Sequence, residues 1–220
     1  MSRFQIIDCE QRSEEWYAAR AGLLTGSVAY NAMHTIKSGA FSAARKHLRT
    51  KLALERLLGK SQESRFASDA MQHGIEKEPM ALARHEATSG LILTTPGFLR
   101  HTEVFAGCSL DAAFMERGRI VGIVEGKAPE SATHHEYLRS RKIPEEYQWQ
   151  CVHNLWVSGA DWCDFCSFDD RFPPPLDYLC VRLHAESKAI RAYEIQALAF
   201  LAEVDEEVEA INKLREELAA

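Results

Sequence analysis

One short segment restricts the fold of this chain more than any other. Residues 119–127 read Arg-Ile-Val-Gly-Ile-Val-Glu-Gly-Lys, so four apolar residues precede Glu125 almost without interruption. A run of this kind is typical of a strand that is buried on both faces, and it predicts a strand at residues 120–125. The predicted strand needs a layer of helices or a second sheet on each side, and it ends in a carboxylate. A carboxylate at the end of a buried strand calls for a functional explanation.

A hairpin is predicted immediately before this carboxylate. Gly118 supplies the left-handed backbone that a short turn needs, and residues 109–115 form the preceding strand. A hairpin centred near Gly118 places Asp111 directly opposite Glu125, so that both side chains point to one face. Lys127 lies two residues beyond Glu125 and projects to the same face.

The chemistry of these three residues suggests a metal site. Two carboxylates held close together repel each other unless a cation neutralises them. Mg²⁺ or Mn²⁺ prefers such oxygen ligands, and Lys127 could orient a water molecule or stabilise developing negative charge. Metal-assisted hydrolysis of a phosphodiester is the natural reaction. The alternative is a plain surface hairpin in which Lys127 forms an ion pair with one of the acids.

The remaining pattern predicts an α/β fold: a single domain over residues 1–220 with one central mixed β-sheet flanked by helices. Pro79 interrupts one predicted helix, which either kinks there or gives way to a new helix. The last helix is unusually long. The predicted helices span residues 13–22, 25–33, 42–58, 67–88, 131–139, 144–159 and about 186–218, and the predicted strands span 91–95, 104–106, 109–115, 120–125, 162–168 and 176–183.

Charge and hydropathy restrict the binding partners and the cellular location that are expected for the chain. The chain has 220 residues and a net charge of −6, which argues against a broad nucleic-acid-binding surface but not against a local basic groove. Residues 37–65 are rich in Arg and Lys, and this segment is either a solvated helix face or a surface that faces DNA. No apolar run approaches the roughly 20 residues that cross a bilayer, and no secretion signal is visible. We therefore expect a cytoplasmic protein without a membrane partner.

The cysteines give little sign of a metal site. Of the six, only Cys163 and Cys166 have the spacing of paired metal ligands, and no second pair or nearby His pair completes a zinc site. The adjacent His134 and His135 point to different faces of a helix, so a shared ligand role is not expected. An iron–sulfur nuclease, which uses four cysteines, remains a rival interpretation.

Around these residues the sequence resembles the PD-(D/E)xK nuclease superfamily, and within it the lambda exonuclease or YqaJ-like phage recombinase family. Asp111 resembles the aspartate of the first motif, and Glu125-Gly126-Lys127 resembles the Glu-x-Lys motif, with Gly126 where the family has a large apolar residue. The resemblance continues in order along most of the chain. The matching segments are residues 10–22, 24–27, 73–79, 107–111, 123–129, 147–150, 155–157, 162–165 and 170–173.

The resemblance implies a role for each matching residue. Asp111, Glu125 and the carbonyl of Gly126 would bind Mg²⁺, with Mn²⁺ as a substitute and two ions expected. Lys127, Glu78 and Gln150 would be catalytic: Lys127 acting on the nucleophilic water, Glu78 supporting the metal site, and Gln150 contacting the substrate or water. The residues implied to bind DNA are Arg20, Thr25, Ser27 and Tyr147.

The resemblance also implies an activity and partners. The expected activity is 5′-to-3′ digestion of linear double-stranded DNA, which leaves 3′ single strands for phage-type homologous recombination. A homotrimeric ring and a single-strand annealing protein are the expected partners, in the cytoplasm of a bacterial host. A ring needs positive charge only in its channel, which reconciles DNA binding with the negative net charge. The alternatives are a site-specific or structure-specific endonuclease and an inert DNA-binding assembly subunit.

The DNA end is expected near the second helix. Thr25 and Ser27 open this helix, whose N-terminus favours an anion, and Arg20 could add a bidentate contact to a 5′-phosphate. The alternative is that Thr25 or Ser27 only caps the helix and that Arg20 pairs with a surface acid such as Glu15.

Overall fold

The computed structural model describes residues 3–63 and 69–220. Seven helices and nine strands are seen in these residues. In chain order they are β1 (Phe4–Ile7), α1 (Glu14–Arg20), β2 (Leu24–Thr25), α2 (Gly26–Met33), α3 (Ala43–Leu58), α4 (Asp69–Ser89), β3 (Leu93–Thr94), β4 (Phe98–His101), β5 (Ala106–Cys108), β6 (Ala112–Glu116), β7 (Arg119–Lys127), α5 (Ser131–Ser140), α6 (Glu145–Ser158), β8 (Trp162–Phe168), β9 (Tyr178–His184) and α7 (Ser187–Ala219).

The predicted mixed sheet is present and has five strands in the order β3-β6-β7-β8-β9. Strand β7 pairs antiparallel with β6 and parallel with β8. Its residues from Gly122 to Gly126 are all buried, as the apolar run indicated. The last residues of β7 therefore emerge from the centre of the sheet, which is where Glu125 and Lys127 lie.

The hairpin between β6 and β7 has the predicted register at its functional end. Arg117 and Gly118 form the turn with φ of 50° and 77°. A two-residue turn alone would place Asp111 opposite Val124, but a bulge after Phe114 shifts the pairing by one residue. Ala112 consequently pairs with Val124, and Asp111, the residue before β6, is in line with Glu125.

A second sheet was not predicted. It has four strands in the order β1-β4-β5-β2, and its strands are two to four residues long. Such short strands lack the alternation that a sequence pattern can detect. The predicted strand at 104–106 is wrong in position, since β5 is Ala106–Cys108, and the strands predicted at 91–95 and 109–115 are shorter than expected.

The helices largely follow their capping signals. Ser42 Oγ accepts a hydrogen bond of 3.2 Å from Arg45 N at the start of α3, and Gly59 ends that helix with φ of 64°. Helix α4 continues through Pro79, so no new helix begins at this residue. The start predicted at residue 67 lies outside the described residues. Within residues 3–63 and 69–220, no helix is both long and apolar enough to cross a membrane.

The basic segment around α3 packs against α7. Arg45 and Arg49 form ion pairs of 2.6 and 3.0 Å with Glu203 and Glu207, and Arg56 pairs with Asp205. These arginines pair with acids of α7, and the side chain of Arg45 is only 5% exposed, while that of Arg49 is 33% exposed. Residues 64 and 65 of the segment lie outside the described part.

The main core lies between the five-stranded sheet and helices α6 and α7. Trp156, Phe165, Tyr193 and Phe200 are its largest buried side chains. Helix α4 covers the other face of this sheet, where Val124 and Cys166 pack with Leu82. The α/β prediction is therefore confirmed, and the sheet carries helices on both faces.

Candidate active site

Three sequence-predicted residues meet at the end of β7. Lys127 Nζ contacts a carboxylate oxygen of Glu125 and lies 3.5 Å from Asp111 Oδ2. The backbone N–H of Gly126 donates a hydrogen bond of 2.9 Å to the same Asp111 oxygen. The structure thus brings Asp111, Glu125 and Lys127 together on one face, as the hairpin register predicted.

Helix α6 fixes the carboxylate of Glu125. Gln150 Nε2 donates to Glu125 Oε1 at 2.6 Å, and Asn154 Nδ2 donates to Oε2 at 3.2 Å. Gln150 was predicted at the site, but Asn154 was missed. Its four-residue spacing from Gln150, which places both side chains on one face of a helix, was the available signal. Glu125 is thereby held in one orientation although it is only 1% exposed.

Glu78 and Tyr147 border an open cleft beside these residues. The cleft has a volume of 410 Å³. Glu78 comes from α4 and is 3.9 Å from the guanidinium of Arg12, a residue that the sequence reading missed. The ring of Tyr147 stacks on Phe165 and faces Lys127 Nζ at 5.3 Å. The lining consists of Arg12, Gly74, Ile75, Glu78, Gly126, Lys127, Ala128, Pro129 and Tyr147.

Burial and mutual repulsion make the carboxylates costly to ionise. Burial, reinforced by the negative charge of Asp111, raises the pKa of Glu125 to about 8 and that of Glu78 to about 7. Burial would lower the pKa of Lys127, but the charges of Glu125 and Asp111 outweigh it and hold that pKa well above its usual value. The site is thus a concentration of negative charge that one ammonium group compensates only in part.

This donor set fits a hard divalent cation. Asp111 and Glu125 offer carboxylate oxygens, the type of ligand that Mg²⁺ and Mn²⁺ prefer. Burial and the negative charge of Asp111 raise the pKa of Glu125, so its ionised form would gain from further positive compensation. A bound cation would supply that compensation, and Glu78 adds a third carboxylate at the same cleft.

Gly126 departs from the family pattern without disturbing the backbone. A Cβ added at Gly126 would lie 3.5 Å from Leu82 Cδ2 and 3.8 Å from Ala81 Cβ, which is ordinary contact. We expect Gly126→Ala to raise thermal stability slightly, because glycine weakens a strand, and to leave nuclease activity within about twofold, since the carbonyl is kept. A melting curve beside a rate assay checks this. A large loss of activity would show that the site needs the glycine itself.

Arg20, Thr25 and Ser27 form a second cluster. Arg20 Nη2 donates to Ser27 Oγ at 3.2 Å and to Glu63 Oε1 at 2.8 Å, while Thr25 Oγ1 lies 3.3 Å from Ser27 Oγ. The described residues pair Arg20 with Glu63 and not with Glu15. Thr25 is the N-cap of α2, but its side chain makes no capping hydrogen bond. Ser27 Oγ therefore links the buried guanidinium of Arg20 to the Thr25 hydroxyl.

Two further sequence interpretations can be compared with the geometry. Cys163 and Cys166 are three residues apart on β8 and so point to opposite faces of the sheet, which prevents them from sharing a metal ion. His134 is buried, with Nδ1 2.7 Å from Ser167 Oγ and Nε2 2.9 Å from the carbonyl of Leu176. It has a structural role and does not share a ligand site with His135.

Comparison with solved structures identifies two close neighbours and one distant one. The chain is similar to LHK-Exo in complex with dAMP, with 33% identity and a TM-score of 0.83, over 94% of this chain and 100% of that one. A second structure, of the alkaline exonuclease LHK-Exo from Laribacter hongkongensis, has 33% identity and a TM-score of 0.82 at the same coverage. A phage related exonuclease from Haemophilus somnus 129PT has a TM-score of 0.65 at 15% identity, covering 86% and 96% of the two chains, and shows the shared fold alone.

A comparison of the sequence with protein-family models identifies the family of the chain. No curated protein matches the chain. Residues 15–161, which include Asp111, Glu125, Lys127 and Gln150, match the model of the YqaJ-like viral recombinase domain. That match covers more than half of the chain, and the fold agrees with it. The chain therefore belongs to the YqaJ-like viral recombinase domain family.

Proposed function

We propose that this chain is a metal-dependent 5′-to-3′ exonuclease that digests linear double-stranded DNA and leaves 3′ single strands for phage-type homologous recombination. The observation that carries the proposal is the grouping of Asp111, Glu125 and Lys127 at the edge of an open cleft. The family and the likeness to an alkaline exonuclease support the same activity. We treat residues 1–220 as one nuclease domain.

The metal ligands in this proposal are Asp111, Glu125 and the carbonyl of Gly126. Mg²⁺, or Mn²⁺ in its place, would polarise the phosphate and lower the pKa of a bound water when present. Gln150 and Asn154 hold the Glu125 carboxylate in position through its two oxygens. We extend the proposal to two ions because Glu78 adds a third carboxylate whose pKa is also raised.

Lys127 supplies the catalytic cation of the protein itself. Its ammonium group lies beside both carboxylates, where it can orient the attacking water and stabilise negative charge on the phosphate. The pKa of Lys127 is held well above its usual value, so the group stays charged at neutral and alkaline pH. The ring of Tyr147 faces Lys127, and Gln150 donates to the same oxygen of Glu125 as Lys127 does, so we assign both residues to contacts with water or substrate.

The experiment that tests this proposal compares DNA with and without ends. Linear duplex and closed circular duplex of the same sequence are incubated with the protein and Mg²⁺, with and without a chelator. We expect the linear DNA alone to be digested, to mononucleotides, and only without chelator; LHK-Exo was crystallised with the mononucleotide dAMP. Cutting of the circle would favour a site-specific or structure-specific endonuclease. Binding without digestion would favour an inert assembly subunit.

The direction of digestion rests on the cluster around Arg20, which we assign to the 5′-phosphate. We expect Arg20→Ala to slow digestion of 5′-phosphorylated duplex by roughly 10- to 150-fold more than that of 5′-hydroxyl duplex, because a charge-assisted contact of about 1.5–3 kcal/mol is lost for one substrate only. Rates on both substrates measure this difference. The phosphate must displace Glu63, which pairs with Arg20 in the free protein.

Arg119→Ala is the matched control for this variant. Arg119 also forms an ion pair, with Asp161. It lies at the first residue of β7, whereas Glu125 and Lys127 lie at the other end of that strand. Its removal should leave the preference between the two substrates unchanged. An unchanged preference in Arg20→Ala as well would rule out Arg20 as the phosphate ligand.

The assembly we propose is a homotrimer that works with a single-strand annealing protein in the cytoplasm of a bacterial host. The resemblance supports the trimer, and the net charge of −6 suits a ring whose channel alone is positive. Light scattering should give three times the chain mass of 24.8 kDa. The mass of a single chain at micromolar concentration would contradict the proposed ring.

A further inference from the structure

Three metal-ligating side chains meet on the far side of the five-stranded sheet, where helix α4 covers it. They are His85 from α4, Cys166 from β8 and Cys180 from β9, and one ligand atom of each lies within 4.8 Å of those of the other two. Cys166 and Cys180 are directly paired across the antiparallel strands. His85 Nδ1 is 3.2 Å from Cys166 Sγ. The described residues contain no other such group of three His, Cys or acidic side chains.

The ligand types and their spacing suit a soft divalent metal. Thiolate sulfur and imidazole nitrogen are the preferred ligands of Zn²⁺, which binds them tetrahedrally. Bond lengths of about 2.3 Å to sulfur and about 2.0 Å to nitrogen place neighbouring ligand atoms roughly 3.6–3.8 Å apart. The three atoms of this cluster need only small shifts to reach those separations. The carboxylates of the active site are hard ligands and suit a different ion.

The second ring nitrogen of His85, Nε2, also has surroundings that suit a metal-bound histidine. His85 Nε2 is buried and has no hydrogen-bond partner among the described residues. The nearest acid is Asp164, whose Oδ2 lies 3.5 Å away and which two bonds of 2.7 Å from Arg182 hold in place. A metal on Nδ1 places the ring proton on Nε2, facing Asp164. A carboxylate behind the histidine is the usual arrangement around a protein-bound zinc ion.

We propose that His85 Nδ1, Cys166 Sγ and Cys180 Sγ form a binding site for Zn²⁺ or a similar soft transition metal, separate from the nuclease site. Binding releases the thiol protons to solvent. The Tyr178 hydroxyl lies 2.6 Å from His85 Nδ1 and 3.3 Å from Cys166 Sγ, so its hydrogen bond with Nδ1 would have to give way when the ion binds. The ion would join α4 to the edge strand β9.

This site has a consequence for the active site. Glu78 precedes His85 by seven residues, which is about two turns of α4, so both lie on the side of the helix that packs on the sheet. A metal at His85 would hold the helix that carries Glu78. The sequence did not predict this site, because its three ligands come from separate segments of the chain.

Cobalt is the probe that distinguishes this site from the carboxylates. Full-length protein is freed of metal under reducing conditions and titrated with Co²⁺, which gives an intense thiolate-to-cobalt charge-transfer band only when sulfur binds it. Cys180→Ser is the main variant, since the side chain is exposed on an edge strand, and circular dichroism confirms its fold. His85→Gln is the second. Cys9→Ser, a partly exposed cysteine elsewhere, and Glu125→Gln are the controls.

We expect the charge-transfer band of the wild type and of both controls to saturate at one equivalent of thiolate-bound Co²⁺, and Zn²⁺ to abolish the band by displacement. Zn²⁺ should also raise the melting temperature of these three proteins. Cys180→Ser and His85→Gln should lose the band, and Zn²⁺ should raise their melting temperature less than that of the wild type, because only the carboxylate site remains. Absence of the band in the wild type, or its persistence in Cys180→Ser, would overturn the proposal. Since the readout is spectroscopic, the result is independent of nuclease activity.

Discussion

Asp111→Asn and Glu125→Gln should each reduce Mg²⁺-dependent DNA cleavage by roughly a thousandfold or more. The cation contributes several kcal/mol of transition-state stabilisation, and each 1.36 kcal/mol is worth about a factor of ten in rate. Each variant removes one of the two carboxylates that would hold that cation. Initial rates on linear duplex at saturating Mg²⁺ measure the effect.

Amide replacements are preferred to alanine because the buried carboxylate of Glu125 accepts several hydrogen bonds. Lys127, Gln150 and Asn154 all donate to its carboxylate, so an alanine would remove the acceptor from all three and leave the amides of Gln150 and Asn154 without this partner in a buried site. Glutamine keeps an acceptor oxygen in a side chain of nearly the same size.

Stability separates a chemical effect of these variants from a folding defect. The pKa of Glu125 is raised, so its ionised form is disfavoured in the folded protein, and the metal-free wild type loses stability as the pH rises from about 4.5 to about 8. Metal-free Glu125→Gln should escape this loss and melt no lower than wild type at pH 8. Glu116→Gln, at the exposed end of the same hairpin, is the matched control and should cleave normally. Cleavage at near wild-type rate by either active-site variant contradicts the metal assignment.

Lys127→Ala should lose cleavage by about 10²–10³-fold and still bind metal. Removal of a single group that stabilises developing negative charge has an effect of this size. The ammonium lies beside both carboxylates in the free protein, so its removal leaves more uncompensated negative charge and should strengthen cation binding. Calorimetry of Mn²⁺ binding beside the rate assay distinguishes the two effects.

Lys142→Ala, an exposed lysine after α5, serves as the control for general loss of positive charge. It should change neither the rate nor the affinity for Mn²⁺. If Lys127→Ala loses metal binding to the same extent as Asp111→Asn, then Lys127 supports the ion-binding site itself and its assigned role on water or phosphate is wrong.

The relative positions of Asp111, Glu125 and Lys127 could be predicted because the three residues lie close together in the sequence. An almost uninterrupted apolar strand, one turn glycine and the three candidate site residues lie within 17 residues, from Asp111 to Lys127. The observed register agrees with that prediction, although a bulge after Phe114 produces it together with the two-residue turn. The prediction did not include this bulge, because no residue pattern in the hairpin marks it.

The remainder depends on contacts between distant segments. The four-stranded sheet is assembled from strands too short to have a period, and β2 pairs with β5 about 80 residues away in sequence. Asn154 reaches Glu125 only because α6 packs beside β7. The cluster of His85, Cys166 and Cys180 likewise exists only once α4 lies across β8 and β9.

The measurement that tests the account most directly is the release of mononucleotides from the ends of a 5′-phosphorylated linear duplex. Wild type and Asp111→Asn are compared at equal concentration in Mg²⁺, with the label at the 5′ end or at the 3′ end. We expect the wild type to release the 5′ label first and Asp111→Asn to release neither label at a measurable rate. Equal release by the two proteins, or release of label by wild type in the presence of a chelator, would contradict a nuclease site built on Asp111 and Glu125.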